Sequence, residues 1–588
     1  MVPTQAPHHA RFQPVIFSDA GTTLYPLCET RSEPLPKALV PVLNRPMIAF
    51  PLQWLVSAGF RACLLVAPIA EHSALAAALR TLSLVAPNAD TEYSAKPNVA
   101  VTARNVGPTL VGTESSSPSK PVMHVELVPF GPKPGESVRS LWHPNTPLTR
   151  ARWGTAQILY WLAATRKLEL DPLIVPLDLI APDTPLSALI ATHLSSMPDP
   201  PTLSCLFYER GAGEGTGKDR ERDGPANLFS VYARTPLRVQ EGTLPSPGAR
   251  RDVISVHAPL LVMDSDDVLD KNASDLELRM SLLWKHPHAR VSTTLLDSLV
   301  YIVRLAPLLP LLEKHPELNN IIEQLVPFMI KCSWQTRLSK KAAWNVPLDA
   351  AATNSIPDTS LELSNTNVPP PWMSITESDA AWAPYHPRCE LVIQRLRPGL
   401  QRSLPPAAEL EKVRAGMPGE ESFIARANTV PTYLECNRYL LRHATSPEGL
   451  AHFSLPSVSG TGSLPYEPNR DTDSSIHPRA QLSADCMVGA GAKIEERATI
   501  KHSILGRNCA VGKGARIMRS VLMDGVHVGD NAKLENCIVG HEATIGDRSL
   551  LRETDVGPQY AVARGAESKN EKLVVFDGET DEADIQMH

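Results

Sequence analysis

The sequence predicts an α/β doubly wound domain followed by a left-handed parallel β-helix. Two observations carry this. From residue 14 to about 330, strand-length apolar runs alternate with helical patterns. From residue 475 onward, aliphatic residues recur in steps of 6, 6 and 5, a 17-residue period. At 588 residues the chain is also too long for one hydrophobic core.

The elements follow in order. Val15–Ser18 reads as a strand, Met47–Ala58 as a helix closed by Gly59, and Arg61–Ala67 as an apolar strand. Glu71–Leu82 and Ala151–Arg166 read as helices, Pro172–Leu177 as a buried strand, Leu186–Leu194 as a helix and Thr202–Phe207 as a strand. Asp297–Tyr301, a Leu-rich helix and Ile321–Ile330 close the domain, which spans 14–332. Loop insertions are expected near 83–121, with Ser/Pro-rich Glu114–Pro121, and at 210–225. Gly213–Lys218 is not a phosphate-binding P-loop, because no Ser or Thr follows the lysine. A Pro-rich linker and connecting segment is expected over 333–424, and a connector to the β-helix over 425–470.

The repeat runs through Val488, Ile494, Ile500, Leu505, Val511, Ile517, Leu522, Val528, Leu534, Val539, Ile545 and Leu551. Each coil offers three short faces, and one aliphatic side chain per face points to the axis. One coil has no core, whereas stacked coils do. Ile476 and Leu482 extend the pattern upstream. Glycine follows the inward residue at Gly489, Gly512, Gly529, Gly540 and Gly546, where a corner with positive φ is expected. The helix is therefore read over roughly 475–556, ending before Pro558, within a β-helix domain placed at 471–565 and followed by an acidic tail at 566–588.

Composition excludes several classes. A net charge of −6 gives no basic nucleic-acid footprint, so no direct nucleic-acid binding is expected. Nine cysteines without a CxxC pair argue against a zinc site or a disulfide framework and fit a reducing compartment. The most apolar stretch, Leu299–Leu312, is broken by Arg304, Pro307 and Pro310, so no membrane span is expected. A cytosolic protein follows.

The first β–α turn carries the chemistry. Phe17–Met47 resembles the opening of the sugar-phosphate nucleotidyltransferase family, whose glycine-rich loop and arginine hold a triphosphate and whose lysine neutralises it. Position by position, Gly21 and Thr22 match the loop, Lys37 matches the lysine, and Pro41, Val42, Asn44, Pro46 and Met47 match the next phrase. Gly154 and Thr155, followed by Ala156, resemble the family's helix-start Gly-Thr-Ala. Asp178 resembles its magnesium aspartate. The departures matter. Thr23 stands where the arginine belongs, removing a bidentate phosphate clamp. Ser18 and Asp19 replace two glycines, and Asp19 brings a negative charge to the phosphate position. The resemblance thus implies a nucleotidyltransferase-like domain without catalytic residues, metal or resident cofactor. At most, weak nucleotide binding through Lys37 and Gly154 is expected. Asp178 is better read as a strand-end capping carboxylate than as a metal ligand.

Ala425–Leu441 carries the second resemblance. Arg426, Asn428, Thr429, Tyr433, Glu435, Asn437 and Arg438 match the phrase that precedes the β-helix in the gamma-subunit family of translation initiation factor 2B, and Lys501–Gly506 resembles its β-helix. The related epsilon family would add a large helical domain after the β-helix. This resemblance implies pairing with the epsilon subunit and the other subunits of a guanine-nucleotide exchange complex. It implies GDP/GTP exchange on initiation factor 2, with no chemistry in this chain. The rival readings are a mannose-1-phosphate guanylyltransferase or its regulatory subunit. A β-helix acyltransferase would need His502, His527 or His541 as base; each is read here as a coil-surface residue.

Overall fold

The computed structural model describes residues 11–19, 21–28, 35–84, 99–103, 122–130, 154–182, 184, 186–195, 201–209, 228–234, 254–264, 280–335, 338–339, 388–394, 423–444, 457–458, 475–483 and 485–574. The expected loop at Glu114–Pro121, the insertion at 210–225, most of the 333–424 linker and the acidic tail from 575 lie outside these residues.

Ten strands form the large sheet: β1 (Phe12–Phe17), β2 (Ala62–Pro68), β3 (Val99–Ala103), β4 (Met123–Phe130), β5 (Asp171–Pro176), β6 (Leu203–Glu209), β7 (Leu228–Arg234), β8 (Ile254–Asp264), β9 (Ala289–Val303) and β10 (Cys389–Gln394). Their order is β6-β10-β8-β7-β9-β5-β1-β2-β4-β3, with β6 also paired to β9. The strands β3, β4, β2, β1 and β5 are mutually parallel. Strand β9 runs antiparallel to β5, β6 and β7.

Successive residues of β1 face opposite sides of the sheet. Ile16 packs on one side with α1 (Ala49–Ser57), α2 (His72–Thr81) and α4 (Leu186–Ser195). Val15 packs on the other with α3 (Thr155–Ala164), α5 (Leu305–Lys314) and α6 (Val326–Trp334). The result is three layers, helix on sheet on helix.

The expectation of a simple doubly wound sheet misses β3, β4, β7, β8 and β10; β3 lies inside the insertion expected near 83–121 and pairs in parallel with β4. The antiparallel pair β7–β8 brackets a long insertion, which hides the hairpin from a local reading. Strand β10 lies within the expected linker. Its run CELVIQ is buried throughout and pairs in parallel with β6 and antiparallel with β8.

The β-helix consists of three six-stranded parallel sheets. The first sheet starts at Ser475–Ile476, the second at Gln481–Leu482 and the third at Met487–Val488. All twelve repeat residues fall in one buried cluster. The helix continues past Pro558 to Lys572–Leu573, so the expected limit of 565 is too short. The aliphatic pattern breaks at Ser568 on one face of this coil, while Val562 and Leu573 keep it on the other two.

The corner glycines also act differently from expectation. Gly489, Gly512, Gly529, Gly540 and Gly546 are not among the positive-φ residues; the left-handed residues stand two positions later, as at Gly491 (φ 73°) and Gly514 (φ 66°). At Gly512 an added Cβ would lie 2.8 Å from the carbonyl carbon of Gly529 in the next coil. The glycine is needed for close stacking of the corners, not for their backbone conformation.

The two domains share a third apolar cluster. Helix α7 (Val430–Ala444) lies between them. It contributes Tyr433, Leu434 and Leu440, the α/β domain contributes Leu24, Val42 and Met47, and the outward face of the third β-helix sheet contributes Met487, Ile504, Val521 and Ile538. Polar contacts fix the register. The Leu43 amide donates to Asn437 Oδ1 at 3.0 Å, and Asn44 Nδ2 donates to the Leu505 carbonyl at 2.7 Å. The Tyr433 hydroxyl donates to the Pro41 carbonyl.

Leu534→Ala, at 1% exposure on the helix axis, should cost about 2–5 kcal/mol. Thr544→Ala, exposed on the first sheet, should stay within about 0.5 kcal/mol. Urea unfolding followed by β-sheet circular dichroism separates the two.

Candidate functional site

Strand β1 ends at Phe17, and the chain turns through Gly21, which has φ 71°. An added Cβ there would lie 2.8 Å from Cys28 Sγ and 3.2 Å from Lys37 Cβ, so glycine is required on both counts. Thr22 opens the short 3₁₀ turn Thr22–Leu24 and is exposed, as is Thr23. Lys37 opens a second 3₁₀ turn, Lys37–Leu39.

Lys37 is 1% exposed, and its Nζ donates to Asp19 Oδ2 and to Asp178 Oδ2, each at 2.9 Å. Asp19 also accepts from the Gly21 amide through Oδ1 at 3.1 Å. One carboxylate thus engages both the loop amide and the lysine.

Asp178 follows β5 and is 1% exposed. Arg426 meets it as a fork: Nε donates to Oδ1 and Nη2 to Oδ2, each at 3.0 Å. The backbone reinforces the contact. Ala425–Arg426 pairs antiparallel with Leu179–Ile180, and the Ala427 amide donates to the Asp178 carbonyl at 2.8 Å.

Burial pushes the Asp178 carboxyl up, but Arg426 and then Lys37 outweigh it and hold the group well below the usual carboxylate range. Burial pulls Lys37 down, but Asp178 and Asp19 outweigh it and raise the amine. Two cations and two carboxylates thus meet in one cluster, and the pairing favours the charged forms of Lys37 and Asp178. Beside it, Ser18 Oγ donates to Glu71 Oε2 at 3.3 Å. Burial pushes Glu71 up to about 7; the Ser18 hydrogen bond opposes this and the Asp19 charge adds to it.

The structure does not bring Gly154 and Thr155 into this cluster. Both pack on the segment before α6. The Ala156 amide donates to the Asn319 carbonyl at 3.0 Å, and Thr155 Oγ1 accepts from the Ile321 amide at 3.0 Å. A Cβ on Gly154 would lie 2.0 Å from the Asn319 carbonyl oxygen. This helix start is therefore covered by the chain itself.

A divalent cation does not fit at Asp178. Both carboxylate oxygens accept from cationic donors, and among the described residues no group of three or more His, Cys, Asp or Glu is placed to hold a metal. The candidate histidines are scattered. His502 Nδ1 lies 3.4 Å from Asp485, His527 is exposed on the first β-helix sheet, and His541 is half-buried at a corner. A cleft of about 170 Å³ opens between Thr23, Pro431 and Glu571, and neither Lys37 nor Asp178 lines it.

Sequence reasoning identified Lys37 and Asp178 but missed what joins them to the connector. Arg426 was singled out only as part of a phrase. Its partner lies 248 residues earlier, so no local pattern links the two.

Comparison with known proteins agrees with this layout. Residues 468–562 match the family model described as the eIF2B subunit epsilon LbH domain. Translation initiation factor eIF2B subunit gamma of Schizosaccharomyces pombe is 26% identical over 489 residues, 83% of this chain and 73% of that protein. The subunit of the same name from Dictyostelium discoideum is 20% identical over 516 residues, 85% of this chain and 88% of that protein. The resemblance to the gamma-subunit family is thus borne out along most of the chain. Among the described residues, no helix is long and apolar enough to cross a membrane.

Arg426→Ala should destabilise the fold by about 3–5 kcal/mol in urea unfolding, because it removes one partner of a buried pair. Asp19→Asn, with its side chain 59% exposed, should cost about 1 kcal/mol or less.

The two carboxyls predict opposite pH signs. Above its ordinary value of 3.8, Asp178 contributes in full; the contribution is lost as pH falls through its lowered native value. Glu71 holds a proton in the native state between its ordinary 4.5 and about 7. Its contribution is present below 4.5 and lost as pH rises through about 7. Relative to Glu71→Gln, the wild-type chain should lose stability across that window in thermal melts at stepped pH.

Proposed function

We propose that this chain is a gamma-type subunit of the initiation factor 2B guanine-nucleotide exchange complex, with a nucleotidyltransferase-like domain that performs no chemistry. The relatives named eIF2B subunit gamma support the assignment. The carrying observation is the self-satisfied cluster at Lys37. Asp19 takes the lysine and loop amide that a phosphate would need, and Arg426 with Lys37 takes the carboxylate that a metal would need. With Thr23 in place of the arginine and Lys37 engaged by Asp19 and Asp178, the described residues of the loop offer no unpaired cation to a triphosphate.

In this reading the domain positions partners. It pairs with the epsilon subunit and the remaining subunits in the cytosol, and the assembly promotes GDP/GTP exchange on initiation factor 2. The chain has no resident cofactor, and nucleotide binding at Lys37 is weak at most. A mannose-1-phosphate guanylyltransferase would need the phosphate and metal positions open, and in this reading Asp19 and Arg426 take both.

Affinity purification from the native cell should recover the epsilon subunit and initiation factor 2. The purified chain given GTP, magnesium and mannose-1-phosphate should release no pyrophosphate above buffer. Turnover abolished by Lys37→Ala, or recovery of a pyrophosphorylase in place of initiation-factor subunits, contradicts the proposal.

A further inference from the structure

In the second sheet of the β-helix, the middle residue of each strand points to the axis and its two neighbours point outward. Lys501, Arg516, Lys533, Arg552 and Lys569 all take outward positions and are exposed. Two carboxylates share this face, Glu535 and Glu567, and Glu535 pairs with Arg552 at 3.4 Å. Among the described residues, the other four cations form no ion pair. Arg516 stands directly beside Lys533, and Arg552 beside Lys569, on strands about 4.8 Å apart. Such neighbours repel and weaken the sheet unless an anion lies across them. The face is cationic in a chain whose net charge is −6.

Two apolar side chains stand among these charges. Met518 is 41% exposed and lies between Lys501 and Glu535 in the stack. Leu550 is half-buried and lies between Lys533 and Glu567. Neither belongs to an apolar cluster of the described residues. The third sheet differs, because its outward residues pack in the cluster that α7 and the α/β domain share. The mixture on the second sheet selects the kind of anion that fits. A phosphodiester backbone carries a charge at every unit, so it would meet Glu535 and Glu567 in repulsion and would leave Met518 and Leu550 without apolar contact. A polypeptide can alternate carboxylates with apolar side chains.

We propose that the outer face of the second β-helix sheet docks an acidic segment of a partner protein. Its carboxylates meet Arg516, Lys533 and Lys569, and its apolar side chains cover Met518 and Leu550. Exposed ion pairs are individually weak. The contact therefore depends on several pairs made at once, and it is reversible and sensitive to salt. The face shares no residue with the cluster at Lys37, so it stands or falls apart from the function argued from that cluster.

Fluorescence anisotropy tests this, with a labelled peptide of repeated Glu-Glu-Leu units titrated with the full chain at low salt. Binding should be saturable and should weaken at least about tenfold in about 0.5 M salt. Lys533→Glu and Lys569→Glu should each weaken it about fivefold. Lys493→Glu makes the same change of charge on the exposed outer face of the first sheet and should leave binding unchanged. Thermal melts should show both second-sheet variants folded, since each sets a carboxylate beside an arginine, Arg516 or Arg552. An oligouridylate of equal charge should bind more weakly than the peptide. No saturable binding, equal losses from Lys493→Glu and Lys533→Glu, or an oligouridylate that binds as tightly as the peptide overturns the proposal.

Discussion

The buried Asp178 carboxylate and its two cations hold the structure together. An ionised carboxylate at 1% exposure is tolerated only when its lone pairs are met by charge and hydrogen bonds. Here Lys37 supplies one contact and the Arg426 fork supplies two. Lys37 ties the cluster to the loop after β1. Arg426 ties it to the connector that enters α7, and α7 carries the apolar seam against the β-helix. One carboxylate therefore couples the phosphate-type loop, the connector and the placement of the second domain.

The proposed lack of chemistry rests on the same pairing. A catalytic phosphate site keeps its amides, lysine and carboxylate unpartnered until substrate and metal arrive, and that readiness is unfavourable in the empty protein. In this chain the Gly21 amide, Lys37 and Asp178 each meet a partner within the protein. The helix start at Gly154, which resembles a nucleotide contact in sequence, is closed by the Asn319 carbonyl. The α/β domain and the β-helix are joined through the apolar cluster that α7 contributes to.

Much of the fold was legible because its signals are local or periodic. The 17-residue repeat located the β-helix and all twelve axial residues, since one aliphatic per face is a requirement of stacking. Strands β1, β2, β5 and β6 were apolar runs of the right length. Strands β3, β4, β7, β8 and β10 were not legible, because long insertions separate them from their neighbours in sequence or from their partners. The corner glycines were legible as glycines but not in their role, since close coil stacking and positive φ both select glycine. At the site, Lys37 and Asp178 were readable as motif residues. Their neutralisation by Asp19 and Arg426 was only half readable: the charge of Asp19 was visible in the loop, whereas Arg426 acts from a distant segment.

A calorimetric titration of the full chain with Mn²⁺, with and without GTP, tests the central claim most directly when run beside Asp178→Asn. If Asp178 is held by Lys37 and Arg426, the two proteins should give the same weak heats and no saturable site. A saturable site in the wild-type chain that Asp178→Asn removes would contradict the account, because a metal would then displace cations that the structure treats as fixed.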